Sequence, residues 1–165
     1  MIIQLIDPKH HWREIFSCGV PELDQYLKLM AVQQGRRDNS RTYVLCQMED
    51  DSRIIGYYTL TMIALDFTGL SEKYIKQHLN ARGAALIARL AVDQHFQGRD
   101  YGEYLLVDAL SRLLTASEII GFPLVFVDAK QGISSFYEKY GFKPLQHHPD
   151  KLFITIADIR KSMSC

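Results

Sequence analysis

The sequence predicts an α/β (α+β) fold: one domain over residues 1–165, with a mixed central sheet flanked by helices. Three observations carry this. The length suits one domain, and no repeat, low-complexity tract or composition shift marks a linker. In the front half, two segments rich in β-branched and aromatic residues flank a polar turn, the pattern of an antiparallel hairpin. In the back half, a strand-like run, a glycine-bearing turn, a long amphipathic helix and a second strand-like run make a β-α-β unit.

Composition narrows the class. At 47% apolar and 23% charged, with nine Tyr, eight Phe and one Trp, the chain can fill a core. Nineteen Lys+Arg balance nineteen Asp+Glu, so no global field drives the protein onto nucleic acid or an anionic membrane, and only a local patch is left open. No apolar run of about 18 residues exists, so no membrane partner is expected. The first residues lack the basic start, long apolar stretch and small-residue cleavage site of a signal peptide. Cys18, Cys46 and Cys165 are odd in number and widely spaced, which argues against a disulfide framework or a zinc knuckle and for a reducing cytoplasm.

In chain order, residues 2–6 read as a strand. Pro21 opens a helix whose face is Leu23, Tyr26, Leu27 and Met30, with Gly35 as its stop. Residues 42–48 and 54–63 form the hairpin around Glu49-Asp50-Asp51-Ser52. Residues 71–79 read as a short helix capped by Ser71. Residues 84–92 are a strand. A long helix follows, with Leu105, Leu106, Ala109, Leu110, Leu113 and Leu114 as its apolar stripe and Gly121 at its end. Pro123 admits a strand over 124–127. Residues 133–140 read as a helix stopped by Gly141, and 152–157 as a final strand. His147 and His148 are adjacent and point to opposite faces of an extended segment, so they read as surface residues and no metal is expected.

The turn Gln97-Gly98-Arg99-Asp100-Tyr101-Gly102 lies between a strand and the long helix. Unpaired N–H groups at a helix start favour an anion, and Gly98 and Gly102 would let a diphosphate approach the backbone while Arg99 adds a charge-assisted contact. Glycines needed only for the turn's own dihedrals would give the same pattern. Asp93, His95 and Glu103 lie near the loop and read as turn or cap residues ahead of a catalytic base.

This strand–loop–helix resembles motif A of the GNAT (GCN5-related) N-acetyltransferases, normally Gln/Arg-x-x-Gly-x-Gly/Ala. Leu90-Ala91-Val92 before the loop and Ser135-Phe136-Tyr137-Glu138-Lys139-Tyr140-Gly141-Phe142 after the next strand match in family order. The resemblance implies a GNAT-like fold and acetyl-CoA as acetyl donor. The diphosphate is then expected on backbone N–H groups around residues 97–102, and the pantetheine arm beside the backbone of Leu90 and Val92, in a gap between that strand and the next. It also implies that Tyr137 protonates the departing CoA thiolate. One departure stands out: Asp100 occupies the place of the first motif glycine, where an acidic side chain must turn outward or cap the helix.

Phe16-Ser17-Cys18-Gly19, Leu23-Asp24-Gln25-Tyr26-Leu27, Ala31, Ser40-Arg41-Thr42-Tyr43-Val44 and Arg89-Leu90-Ala91-Val92-Asp93 are similar to the GNAT toxins of bacterial type II toxin–antitoxin modules. That likeness implies acetylation of the α-amino group of aminoacyl-tRNA, a ribbon-helix-helix antitoxin as partner, and a homodimer. Between residues 28 and 43, Lys28, Arg36, Arg37 and Arg41 stand against one acid, Asp38, a local excess suited to phosphates. Lys73, Lys76, Arg82, Arg89 and Arg99 are further candidates for that surface. A GNAT enzyme acting on a small amine or a protein N-terminus is the first alternative. An acyl-CoA-binding regulatory module with little catalysis, prompted by Asp100, is the second.

Overall fold

The computed structural model describes residues 1–129 and 132–164. Seven strands, β1 (Ile2–Leu5), β2 (Arg41–Cys46), β3 (Gly56–Ala64), β4 (Gly83–Val92), β5 (Leu124–Asp128), β6 (Lys143–Leu145) and β7 (His148–Thr155), form one sheet in the order β1-β2-β3-β4-β5-β7-β6. The helices are α1 (Pro21–Gln25), α2 (Ala31–Arg36), α3 (Glu72–His78), α4 (Tyr101–Ile119), α5 (Ser134–Glu138) and α6 (Ile156–Met163). The pairings are antiparallel for β1/β2, β2/β3, β5/β7 and β6/β7 and parallel for β4/β5, which is the mixed sheet expected. No helix among the described residues is long and apolar enough to cross a membrane.

The chain divides into two compact units, one of residues 1–61 and 88–109 and one of residues 62–87 and 110–165. In the first, Phe16, Tyr26, Leu27, Ala31, Val44 and Tyr57 belong to one core. The hairpin register Tyr43↔Tyr58 stacks the two rings at 5.3 Å between centroids, and the Thr42 and Thr59 hydroxyls meet at 2.8 Å. Gly56 serves close approach: a Cβ there would lie 2.8 Å from Leu105 Cδ1 and 2.9 Å from the Ala91 carbonyl oxygen. The second unit packs Leu70, Ala84, Leu124, Phe126, Leu145 and Phe153.

Several expectations need correction. A π-helical turn, Tyr26–Met30, separates α1 from α2 and inserts one residue into the helical phase. Ala31 therefore takes the buried place read for Met30, which is 44% exposed. Gly35 lies inside α2, and the chain turns instead at Asp38, where φ is +60°. Ser71 precedes α3, but its side chain makes no capping bond; its carbonyl accepts from Tyr74 N and Ile75 N, each at 3.1 Å. The helix read over 133–140 is the shorter α5. The strand read over 152–157 begins earlier, as β7, and its last two residues open α6. Thr155 Oγ1 caps that helix, accepting from Asp158 N at 3.0 Å. His147 and His148 are exposed, as read.

Candidate active site

The loop after β4 belongs to the first unit and is built from the strand end outward. Asp93 is buried, and its carboxylate accepts from Ser17 N at 3.0 Å and His95 N at 2.9 Å and meets His95 Nδ1 at 2.9 Å. Burial pushes its carboxyl up, but these hydrogen bonds outweigh burial and hold it below the usual carboxylate range. Asp93 thus caps the 3-10 turn Gln94–Phe96, as read from the sequence. Gln97 Nε2 then donates to Cys18 O at 3.0 Å and Val92 O at 2.9 Å, pinning the loop to both the strand end and the front segment.

Beyond Gln97 the backbone twice enters the left-handed region, at Gly98 (φ +79°) and Asp100 (φ +63°). A Cβ on Gly98 would meet nothing within 4 Å, so that side of the loop is open. α4 starts at Tyr101, and the first N–H groups of a helix have no intrahelical acceptor. The guanidinium groups of Arg53 and Arg99 lie 5.0 and 5.7 Å from the Phe96 ring centre and add positive charge beside the loop. Arg53 was missed in the sequence because it is far from the loop in the chain. Tyr101 and Gly102 are half-buried in the first turn of α4, and the Tyr101 ring lies 6.4 Å from that of Phe96. Donors, cations and open space together fit a diphosphate.

Asp100 is exposed, and its carbonyl accepts from Tyr104 N at 3.1 Å. The position favours glycine for its backbone conformation, which Asp tolerates at a cost of about 1 kcal/mol. Asp100→Gly is therefore expected to bind acetyl-CoA equally or more tightly and to unfold at a slightly higher temperature. Calorimetry and a thermal melt check this; clear weakening of binding would make Asp100 a needed cap.

In β4, Ala91 is buried while Leu90 and Val92 are half-buried. Ala91 O lies beside Gly56 and Asp93 N donates to Ile55 O at 2.7 Å, so the backbone groups of residues 91 and 93 turn toward β3. Successive strand residues alternate, so those of Leu90 and Val92 turn away from β3. They are the backbone groups named for the pantetheine arm, and Gln97 already takes one lone pair of Val92 O. β4 pairs with β5 at Ala85↔Val125, Leu86↔Phe126 and Ile87↔Val127, in its first half.

Tyr137 lies on α5 in the second unit. It is buried, with its ring edge-on to Phe136 at 5.1 Å and Phe142 at 5.6 Å, and burial pushes its hydroxyl up to about 12. Three other buried tyrosines commit their hydroxyls: Tyr26 to Ser40 Oγ at 3.3 Å, Tyr57 to Leu23 O at 2.7 Å, Tyr58 to Asp108 Oδ2 at 2.5 Å. No protein group among the described residues bonds that of Tyr137. The hydroxyl is not among the enclosed unpaired polar atoms and can donate to a ligand.

The basic residues divide. Arg36 and Arg37 are exposed at the end of α2. Arg41 is committed, pairing with Asp38 Oδ1 at 2.7 Å and donating to Gly35 O and Ser40 O at 3.1 Å. Arg89 stacks its guanidinium 3.6 Å from the Tyr26 ring centre. Lys73, Lys76 and Arg82, read as candidates for one surface with these, belong to the second unit. Burial pushes the Cys18 thiol up to about 11 and the Cys46 thiol to about 12, so neither is a nucleophile at neutral pH.

In the first unit, the loop at the start of a long helix and the outward backbone groups of β4 suit the diphosphate and arm of an acyl-CoA, the donor of an acyl-CoA-dependent transferase. A family model described as an acetyltransferase (GNAT) domain matches residues 38–144. A probable toxin TacT of Sinorhizobium fredii is 31% identical over 98% of this chain and 94% of its own length. A tRNA-acetylating toxin of Mycobacterium tuberculosis is 31% identical over 88% and 86%. Among solved structures, AtaT complexed with acetyl-methionyl-tRNAfMet superposes with a TM-score of 0.87 at 26% identity, covering 98% of both chains. A Tyr-to-Phe mutant of AtaT bound to the C-terminus of the antitoxin AtaR and acetyl-CoA gives 0.83 at 25% identity, covering 99% and 98%. The chain belongs to the GNAT acetyltransferase family and is an acetyl-CoA-dependent N-acetyltransferase.

Proposed function

We propose that this protein acetylates the α-amino group of aminoacyl-tRNA and so blocks translation, acting in the cytoplasm as a single acetyltransferase domain over residues 1–165. The observation that carries the reading is likeness over nearly the whole chain, front half included, to a tRNA-acetylating toxin and to AtaT. A ribbon-helix-helix antitoxin and a homodimer are part of the same reading.

In the reaction the neutral amine attacks the thioester carbonyl of acetyl-CoA. The C–N bond forms, the C–S bond breaks, the nitrogen gives up one proton and the CoA sulfur ends with one. We assign the diphosphate to the backbone of residues 97–102 with Arg99, the pantetheine arm to the Leu90 and Val92 backbone alongside Ala91, and the leaving thiolate to the Tyr137 hydroxyl. A thiol has a pKa of about 8.5, so full transfer from a phenol near 12 is uphill by on the order of 5 kcal/mol. Tyr137 therefore stabilises developing thiolate charge as a hydrogen-bond donor, and the nitrogen's proton makes up the balance.

An α-amino group titrates at about 8, so roughly a fifth of it is already neutral near physiological pH. A lysine side chain at about 10.4 needs a base that Asp93 does not supply, since its carboxylate is engaged by Ser17 and His95. This favours an α-amine acceptor over a protein lysine. Arg36, Arg37 and Arg89 are proposed as RNA contacts of the first unit; Arg41 serves that role less well because Asp38 holds it.

The test uses labelled acetyl-CoA with a pool of charged tRNA, spermidine or a peptide N-terminus as separate acceptors. Label on charged tRNA is expected. Label on spermidine or the peptide alone would replace this reading with the small-amine or N-terminal one. Acetyl-CoA binding with no transfer to any acceptor would favour the regulatory module.

A further inference from the structure

A cavity of about 720 Å³ opens in the second unit among α3, the segment after α4 and the start of α6. Lys73, Lys143 and Arg160 line it, against one acid, Asp158. In a chain whose charges balance, three cations against one acid is a local excess. Tyr74 organises two of them. The Lys73 and Lys143 ammonium groups lie 5.7 and 5.8 Å from its ring centre, and Lys143 Nζ donates to its hydroxyl at 3.1 Å. The ring is itself fixed edge-on to core Phe153 at 5.1 Å. Gln77, Asn80 and Ser117 add neutral hydrogen-bonding groups to the wall. Another cavity of this unit has a different floor, of Ile63, Leu86, Phe126 and Leu145.

We propose that this basic cavity holds the phosphodiester backbone of the RNA acceptor. The inference rests on the aminoacyl-tRNA reading above and adds where the RNA is gripped. Phosphate contacts position a nucleic acid without reading sequence, and flexible cations with neutral donors suit them. The cavity includes Pro123, just before β5, whereas α5 and Tyr137 follow the other end of that strand. Five strand residues span about 17 Å. An RNA offers phosphates along its length and can reach both places, whereas a free amino acid or small amine has nothing to put in the cavity. Charge there selects a macromolecular acceptor without touching the chemistry.

The test is the double variant Lys143→Glu/Arg160→Glu, with uncharged tRNA binding followed by fluorescence anisotropy over a range of salt. Expected are at least tenfold weaker binding and a log K against log salt slope shallower by about 2, since each substitution removes one cation from the phosphates. Acetyl-CoA binding and kcat at saturating charged tRNA should stay within twofold, while KM rises. If the charge reversal does not fold, Lys73→Ala/Arg160→Ala is measured in its place, with at least a threefold loss expected. Wild-type binding and slope in the variant would overturn the proposal. So would unchanged tRNA binding with loss of a co-expressed antitoxin, which would make the cavity a protein-docking site. Weaker tRNA binding by the variant, in a wild type that transfers no acetyl group to tRNA, would support the cavity and remove the proposed acceptor chemistry. A wild type that does not bind tRNA would overturn both.

Discussion

Tyr137→Phe is expected to lower kcat roughly 100- to 1,000-fold, the loss typical of one donor to developing charge, while acetyl-CoA affinity changes less than threefold. Phenylalanine keeps the ring between Phe136 and Phe142, so the variant should melt near the wild type. The uncommitted hydroxyl is the reason: its removal orphans no protein partner among the described residues. Burial holds the group neutral up to about pH 12. The wild-type rate should therefore rise with pH as the acceptor amine deprotonates, near its own pKa of about 8, with no fall from Tyr137 up to pH 10. Steady-state kinetics across pH 6–10 and calorimetry check both parts. A variant that loses acetyl-CoA binding yet turns over normally when saturated would remove Tyr137 from the chemistry.

Asp93→Ala should have the largest effect on stability. It strips the acceptor from Ser17 N and His95 N, and leaving such donors unpaired costs roughly 2–4 kcal/mol. For a chain of this size that lowers Tm by roughly 5–12 °C. Gln94 N also donates to Ser17 O at 2.8 Å, so the variant loosens the seam joining the front segment to the loop after β4, and with the diphosphate placed there as proposed, acetyl-CoA should bind more weakly. The pH dependence has a definite sign. The folded carboxyl sits below its unfolded value of about 3.9, so its stabilisation is present above that pH and disappears as pH falls through the lower folded value. The Tm gap between wild type and variant should narrow as pH falls below about 4. A gap that persists unchanged at pH 3 would mean that the carboxylate charge is not what holds the seam.

The fold was legible where one strong periodicity governed one element. The α4 stripe buries Leu105, Leu106, Ala109, Leu110 and Leu113, and the hairpin follows its β-branched runs. The Met30 misreading came from the π turn, whose single extra residue shifts the phase without any glycine or proline to announce it. β6 and the start of β7 were missed because His148, Pro149, Asp150 and Lys151 are polar and exposed, leaving no alternation to read. α6 carries a cap signal in Thr155-x-x-Asp158, obscured by the apolar run that precedes it.

The site was legible as a motif but not as chemistry. Spacing located Gln97 to Gly102, yet the tie from Gln97 to Cys18 joins residues 79 apart in the chain. Asp100 stood out as a charge problem, while its φ of +63° makes it a backbone one. That Tyr137 keeps its hydroxyl unspent while Tyr26, Tyr57 and Tyr58 do not depends on where other backbones and side chains end, which no spacing encodes. The basic residues were legible singly. Their division between two units, and the joining of Lys73 with Lys143 and Arg160, came only from tertiary structure.

The most direct measurement is the chemical identity of the product. Charged tRNA is incubated with acetyl-CoA and the protein, then digested with ribonuclease, and the released aminoacyl-adenosine is analysed by mass spectrometry. We expect one acetyl group on the α-nitrogen with wild type and unmodified aminoacyl-adenosine with Tyr137→Phe. Unmodified aminoacyl-adenosine from the wild type, under conditions where it acetylates a small amine or a peptide, would contradict the account.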